Sequence, residues 1–255
     1  MRARRQPREV FVETLRDLIV LRINKTYLTV SCDSCGGVGF NPLDTLKVKG
    51  VVLGRFLARV ALMETLSVNA QPLACSLTLS INPSPAWKGF LAGVHGEFKA
   101  AGLKAYDVKF ILSSEKNFPV RQTGVGITIL GATRSLKIGR VERGDLLVAV
   151  GKPHVGREVL KAETGREIAD LRDLNKLLKT SFVHEIIPVG SQGILHEAKV
   201  LAKSSGLNFK PFKSTINLKK PAGPSTVILA AVEENKMRDL AEHANKPLTR
   251  IGFFT

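Results

Sequence analysis

Aromatic residues are scarce in this chain of 255, where one tryptophan, two tyrosines and twelve phenylalanines make up 6%. Aliphatic side chains must therefore build most of any core. Cysteine is scarcer still: Cys32, Cys35 and Cys75 cannot all pair within one chain, which excludes a disulfide scaffold and points to a reducing cytoplasm. Long apolar runs are missing too. The stretch 15–23 is too short and too interrupted by charge to span a bilayer, and no apolar segment follows the basic first residues as in a signal peptide. No membrane partner is expected. Acids are outnumbered, 22 Asp+Glu against 38 Lys+Arg, for a formal net charge of +16. Such a surface attracts polyanions at long range without identifying one. Apart from Arg2, Arg4, Arg5 and Arg8, the basic residues are spread along the chain, and no aromatic-rich RNA-binding motif accompanies them. Nucleic acid is therefore not the expected partner.

What is present belongs to a globular protein. Hydrophobic residues reach 44% and charged residues 24%, a balance that supports a packed core. The length allows one large domain or two of ordinary size. Residues 1–26 read as a basic leader and a short amphipathic helix. Tyr27–Cys32 alternates as a strand and runs into a glycine-rich turn, Asp33 to Gly39, then a loop to Gly50. Val51–Asn69 lacks alternation and internal proline, so a long buried helix is expected there, stopped at Gln71-Pro72. Leu73–Ile81 is the clearest strand, with Leu73, Cys75, Leu77, Leu79 and Ile81 on one face. A helix follows Pro83 and Pro85, with Trp87, Phe90, Leu91, Val94 and Phe98 as its core stripe. Tyr106–Leu112 and Gly124–Leu130 read as strands. A charged stretch, Arg134–Asp145, marks the expected domain boundary, giving domains 27–138 and 139–255. The second half reads strand, helix, helix, strand, helix, strand, strand, helix, strand. The fold class is α+β, two domains, each a sheet with helices on one side.

Three local patterns carry possible chemistry. In Cys32-Asp33-Ser34-Cys35-Gly36-Gly37-Val38-Gly39, a carboxylate at a strand end can reach a hard cation, and glycines let backbone N–H groups approach phosphate oxygens. An ordinary turn fits the same spacing. The Cys32-x-x-Cys35 pair lacks the further ligands that zinc needs, and it does not open a helix as a thioredoxin-type pair does. In the second pattern, Glu64 is the only acid of the helix 51–69. A buried carboxylate needs a partner, which can be Arg55 or Arg59 in a structural pair, or a metal. The third is Ser113-Ser114-Glu115-Lys116-Asn117-Phe118-Pro119 with Gln122 to Gly126, where Glu115 and Asn117 sit on a loop that is either merely solvated or functional.

Taken in order, an Asp-containing glycine-rich loop, a long helix ending in Ala-x-Pro, an alternating strand and an acidic turn resemble the aminoimidazole ribonucleotide synthetase superfamily. That group includes thiamine-monophosphate kinase, selenophosphate synthetase and a hydrogenase-maturation enzyme. The strings CDSCGG, ARVALMETLSVNAQP and SSEKNFPVRQTGVGIT look most like its α-ribazole kinase branch. Gly144-Asp145-Leu146-Leu147, Pro188 to Gly193 and Ala222 to Ser225 extend the likeness through the second half. The resemblance implies a cytoplasmic homodimer whose N-terminal domains pair, binding ATP and Mg2+ at their shared edge. Carried over by position, Asp33, Glu64 and Glu115 would hold the metal. Gly36, Gly37, Gly39 and Asn117, with those acids, would bind the nucleotide. Glu64 stands where many members have aspartate, and Lys116 where an acid or small polar residue is usual. The implied activity is an ATP-dependent kinase phosphorylating the ribose 5′-hydroxyl of α-ribazole in cobamide salvage. Asp33 is the catalytic candidate, with Asp44 a second possible base. Two rivals stay open: another ATP-driven activity of the superfamily, and a non-catalytic nucleotide- or RNA-binding protein of the same fold.

Overall fold

A computed structural model describes residues 10–81, 84–104 and 106–255. The first half runs β1 (Val10–Leu15), β2 (Leu18–Ile23), β3 (Thr26–Gly36), β4 (Val38–Gly39), β5 (Leu46–Lys47), α1 (Gly50–Ser67), β6 (Gln71–Ser80), α2 (Pro85–Ala100), β7 (Lys109–Ser114) and β8 (Gly124–Thr133). The second half runs β9 (Leu146–Val150), α3 (Glu158–Thr164), α4 (Leu171–Leu178), β10 (Val183–Pro188), α5 (Ile194–Ser204), β11 (Phe209–Pro211), β12 (Ile228–Val232), a 3-10 turn at Glu234–Lys236, α6 (Met237–His243) and β13 (Leu248–Phe254). A six-stranded sheet has the order β1-β2-β3-β8-β6-β7 and a five-stranded one β10-β12-β9-β13-β11. All neighbours in both sheets are antiparallel except β6 and β7, which α2 connects as a parallel crossover.

The basic leader, 1–9, lies outside the described residues. The short helix expected after it is instead the antiparallel hairpin β1–β2. Valine, isoleucine, phenylalanine and threonine crowd that segment, and such side chains pack better on a pleat than against a helical turn. Its turn carries Arg16 at φ 56°, and the next turn Asn24 at the same angle. Strand β3 also outruns its expected end at Cys32, because β8 pairs with it down to Gly36 opposite Gly124. Asp33 therefore sits inside a strand and not in a turn. Leu73 leaves the buried face expected of it and is 44% exposed, since a bulge between Pro72 and Ala74 shifts the register of β6.

Helix α1 lies between the two sheets. It touches β3 and β8 on one side and β10 and α4 on the other, and fourteen of its 18 residues are buried. That explains the lack of a polar face in its sequence. Its crossing with α2 is made by backbone: a Cβ added at Gly54 would stand 2.0 Å from the Phe90 carbonyl oxygen, and one at Gly93 would stand 2.2 Å from that of Val51. A buried ion pair, Arg59 Nη2 to Glu97 Oε1 at 2.8 Å, clamps the same crossing. The largest apolar cluster runs from Leu57, Leu62, Leu77 and Ile127 into Leu146, Val148 and Ile228 of the second sheet. No helix of the described residues is long and apolar enough to cross a membrane.

Candidate functional site

On β3, Ser31 faces α1, its hydroxyl donating to the Ala61 carbonyl at 2.9 Å. Asp33 lies two residues on and shares that face. It opens into a cleft of about 740 Å³ bounded by the β1–β2 hairpin, β3, α1, α3 and the loops at Gly190–Ser191 and Gly223–Ser225. Leu53, Phe56, Leu57 and Val60 of α1 form an apolar wall, and Glu64 one turn further on closes its end. Burial pushes the Asp33 carboxyl up to about 6, against a hydrogen bond from the Ser34 backbone.

Glu64 is 7% exposed, and no hydrogen bond or ion pair engages its carboxylate among the described residues. The structural pairing weighed for it does not form: Arg55 is bound to Glu163, and Arg59 to Glu97 and Glu163. Burial pushes Glu64 up to about 8, and Asp17, Glu197 and Asp33 add to that while Arg16 opposes it. Glu197, on α5, rises to about 7 by burial and by Asp17. Asp17 and Glu197 were not singled out in the sequence. Asp17 sits in a hairpin turn that read as helix. Glu197 had one available signal, as an acid at a buried position of an otherwise basic segment.

A second cleft, of about 670 Å³, adjoins the first and shares Val38, Leu46 and Gly156 with it. Gly36, Gly37 and Gly124 line it, together with Ser80, Thr45, Gln122 and Arg157. The three candidate glycines do different things. Gly37 takes φ +69°, and its N–H is spent on the Thr123 carbonyl at 2.9 Å, so it shapes the turn. Gly39 is required because a Cβ would stand 2.6 Å from Thr123 Oγ1. Gly36 alone opens outward, with nothing nearer than 4.0 Å to an added Cβ. Asp44 accepts from the Thr123 N–H, the Thr123 hydroxyl and the Asn41 N–H, each at 2.7 Å. Its oxygens hold the loop together, which leaves Asp33 as the acid open to a ligand.

Glu115 and Asn117 line neither cleft. Glu115 follows β7 at the sheet edge, where its Oε1 accepts the N–H groups of Asn117 at 2.5 Å and Phe118 at 3.2 Å. Those bonds hold its carboxyl below the usual range. The single chain thus brings Asp33 and Glu64 to one cleft and leaves Glu115 apart. Among the described residues no three His, Cys, Asp or Glu side chains are grouped to hold a metal ion. The two carboxylates that share the cleft, Asp33 and Glu64, are hard oxygen donors, which suits magnesium held by one or two carboxylates with phosphates and water completing its shell. Cys32 and Cys35 are free. Three residues apart on an extended strand, their Cα atoms are about 10 Å apart, beyond disulfide reach.

No protein-family model matches the chain, and no curated protein sequence does. Solved structures do. The chain resembles AaThiL complexed with AMPPCP and TMP, with a TM-score of 0.62 at 14% identity, covering 93% of this chain and 84% of that one. It also resembles the thiamine-monophosphate kinase from Stenotrophomonas maltophilia K279a, with TM-score 0.59, 16% identity and coverage of 96% and 88%. A third is E. coli HypE, a hydrogenase maturation protein, with TM-score 0.62, 16% identity and coverage of 89% and 79%. All three belong to the aminoimidazole ribonucleotide synthetase-like superfamily, and the chain has that fold. At these identities the likeness concerns fold alone.

Proposed function

We propose that this chain is an ATP- and magnesium-dependent phosphotransferase for a small hydroxylated acceptor, with the ribose 5′-hydroxyl of α-ribazole as the favoured one. The observation that carries the reading is the placement along β3: one strand delivers Asp33 into an apolar cleft and Gly36 into a glycine-lined cleft beside it. Two adjoining compartments, one polar and open-backed, one apolar and acid-ended, suit a polyphosphate and a flat apolar acceptor. The fold is shared with thiamine-monophosphate kinase and with a structure holding the nucleotide analogue AMPPCP.

Asp33 and Glu64 are the residues that would hold magnesium, with phosphate and water oxygens completing its shell, and the ion would neutralise phosphate charge when bound. The remaining chemistry belongs to the chain. With its carboxyl at about 6, Asp33 is largely ionised at neutral pH and can accept the proton of an acceptor hydroxyl. Leu53, Phe56, Leu57 and Val60 hold an apolar heterocycle and exclude water, so that transfer goes to the acceptor. Phosphoryl transfer asks mainly for in-line positioning. As part of this reading, the chain divides near residue 139 and two copies pair through their first sheets. ADP release with ATP and magnesium across a panel of ribosides, followed by mass spectrometry, tests it. A 5′-monophosphate with matching ADP is the expected result. ATP hydrolysis that is equal with and without every riboside would sink the kinase reading.

A further inference from the structure

The glycine-lined cleft, read above as the seat of the polyphosphate, adjoins a cleft lined by Asp17, Asp33 and Glu64, and that poses an electrostatic problem. Carboxylates repel phosphate oxygens, and the repulsion is felt across a few ångströms near a protein surface. Among the described residues lining either cleft, the only side chains always cationic are Arg16 and Arg157. Arg16 is committed: its side chain is 3% exposed, it pairs with Glu185, and its Nη1 donates to the Ile186 carbonyl at 2.8 Å. Arg157 is uncommitted. It is exposed at the border of the glycine-lined cleft, and no hydrogen bond or ion pair engages its guanidinium among the described residues. Its neighbour Gly156 stands at φ +61°, and a Cβ added there would meet nothing within 4 Å. Gly36 supplies an unobstructed wall of the same cleft.

We propose that Arg157 is the cationic arm of a phosphoryl-anion subsite in the glycine-lined cleft, holding either the polyphosphate of a nucleotide or the phosphate of a phosphorylated riboside. This rests on the phosphotransferase reading and adds the charge that reading lacks. A guanidinium suits the task because its fork of donors meets two phosphate oxygens at once, and the second half of the chain thereby closes over a ligand seated on the first.

Calorimetric titration of the full chain tests the subsite, with Arg157→Ala, Arg157→Lys and, as a control for losing one surface charge, Arg250→Ala. The probes are ATP, tripolyphosphate and a riboside 5′-monophosphate, each with and without magnesium. Arg157→Ala should weaken phosphate probes about tenfold or more, Arg157→Lys less, and Arg250→Ala not at all. Weakening confined to ATP and tripolyphosphate assigns the subsite to the nucleotide tail; weakening confined to the monophosphate assigns it to the riboside. Wild-type ATP binding with Arg157→Ala equal to it on every probe overturns the subsite and leaves the phosphotransferase reading standing. No ATP binding by the wild type overturns that reading instead, and Arg157-dependent binding of tripolyphosphate would then still uphold the subsite. If no phosphate probe binds the wild type, both fail.

Discussion

Arg16, at the tip of the first hairpin, and Glu185, on β10 of the second sheet, form a buried ion pair between positions 169 residues apart. Glu185 also accepts the N–H groups of Gly139 at 3.0 Å, Arg140 at 2.5 Å and Val141 at 3.1 Å. One carboxylate thus fastens the hairpin, the segment joining the two sheets, and β10. Arg16→Met should lower stability by about 3 kcal/mol, because it leaves a buried charge without its counter-ion. The measurement is urea unfolding, with a lower midpoint at unchanged slope. A midpoint equal to the wild type would mean that the three backbone donors suffice.

Glu64 should make the ligand-free protein less stable as pH rises. Burial pushes its carboxyl up to about 8 in the folded chain against an ordinary 4.5, so between those values the folded state keeps a proton that the unfolded state has lost. Stability then falls from about pH 4.5 up to pH 8 and levels off above it. Asp33 and Glu197 are shifted the same way and add to the slope. Glu64→Gln should raise Tm at pH 8 much more than at pH 5. Melting curves of both proteins between those values decide it, and parallel curves would contradict the assignment.

Asp33→Asn should reduce acceptor-dependent ADP release by about a hundredfold or more while leaving Tm unchanged or slightly raised. The carboxylate is held in its cleft against its own desolvation, so removing the charge costs the fold nothing. A large loss of Tm alongside activity would show a structural residue.

Light scattering at micromolar concentration should give a dimer. Phe11 at 61%, Val12 at 63%, Ile111 at 70% and Phe118 at 74% are left exposed in the single chain, apolar surface that a second copy would cover. β1 and β7 carry these residues or adjoin them and are the two edges of the six-stranded sheet. Ile111→Lys should yield a monomer with unchanged melting behaviour. A wild-type monomer would remove the shared-edge site.

Much of the architecture was legible because period and punctuation agreed. Leu73–Ile81 alternated cleanly, and α1 and α2 were bounded by loop residues and proline. The misread hairpin shows the limit. Val10 to Ile23 has both β-branched residues and charges at helix-like intervals, and pairing with β3 decides between the two periods. The candidate site was half legible. Asp33 stood out as the acid that opens a glycine-rich segment and Glu64 as the only acid of an apolar helix, and they meet in one cleft. Asp17, Glu197 and Arg157 did not stand out, because their importance comes from which elements fold around them. Gly50, Gly54 and Gly93 likewise carried no signal of their role, although a backbone-to-backbone crossing admits no side chain there.

Gly156 borders both clefts, which gives it a consequence for binding order. On the phosphotransferase reading, a ligand that displaces this residue from one side would redraw the wall of the other compartment and so link the two occupancies. Such linkage is symmetrical: whatever factor the nucleotide adds to acceptor affinity, the acceptor must add to nucleotide affinity. A substitution at residue 156 would therefore alter the cooperativity between the two ligands, even where each binds alone as before.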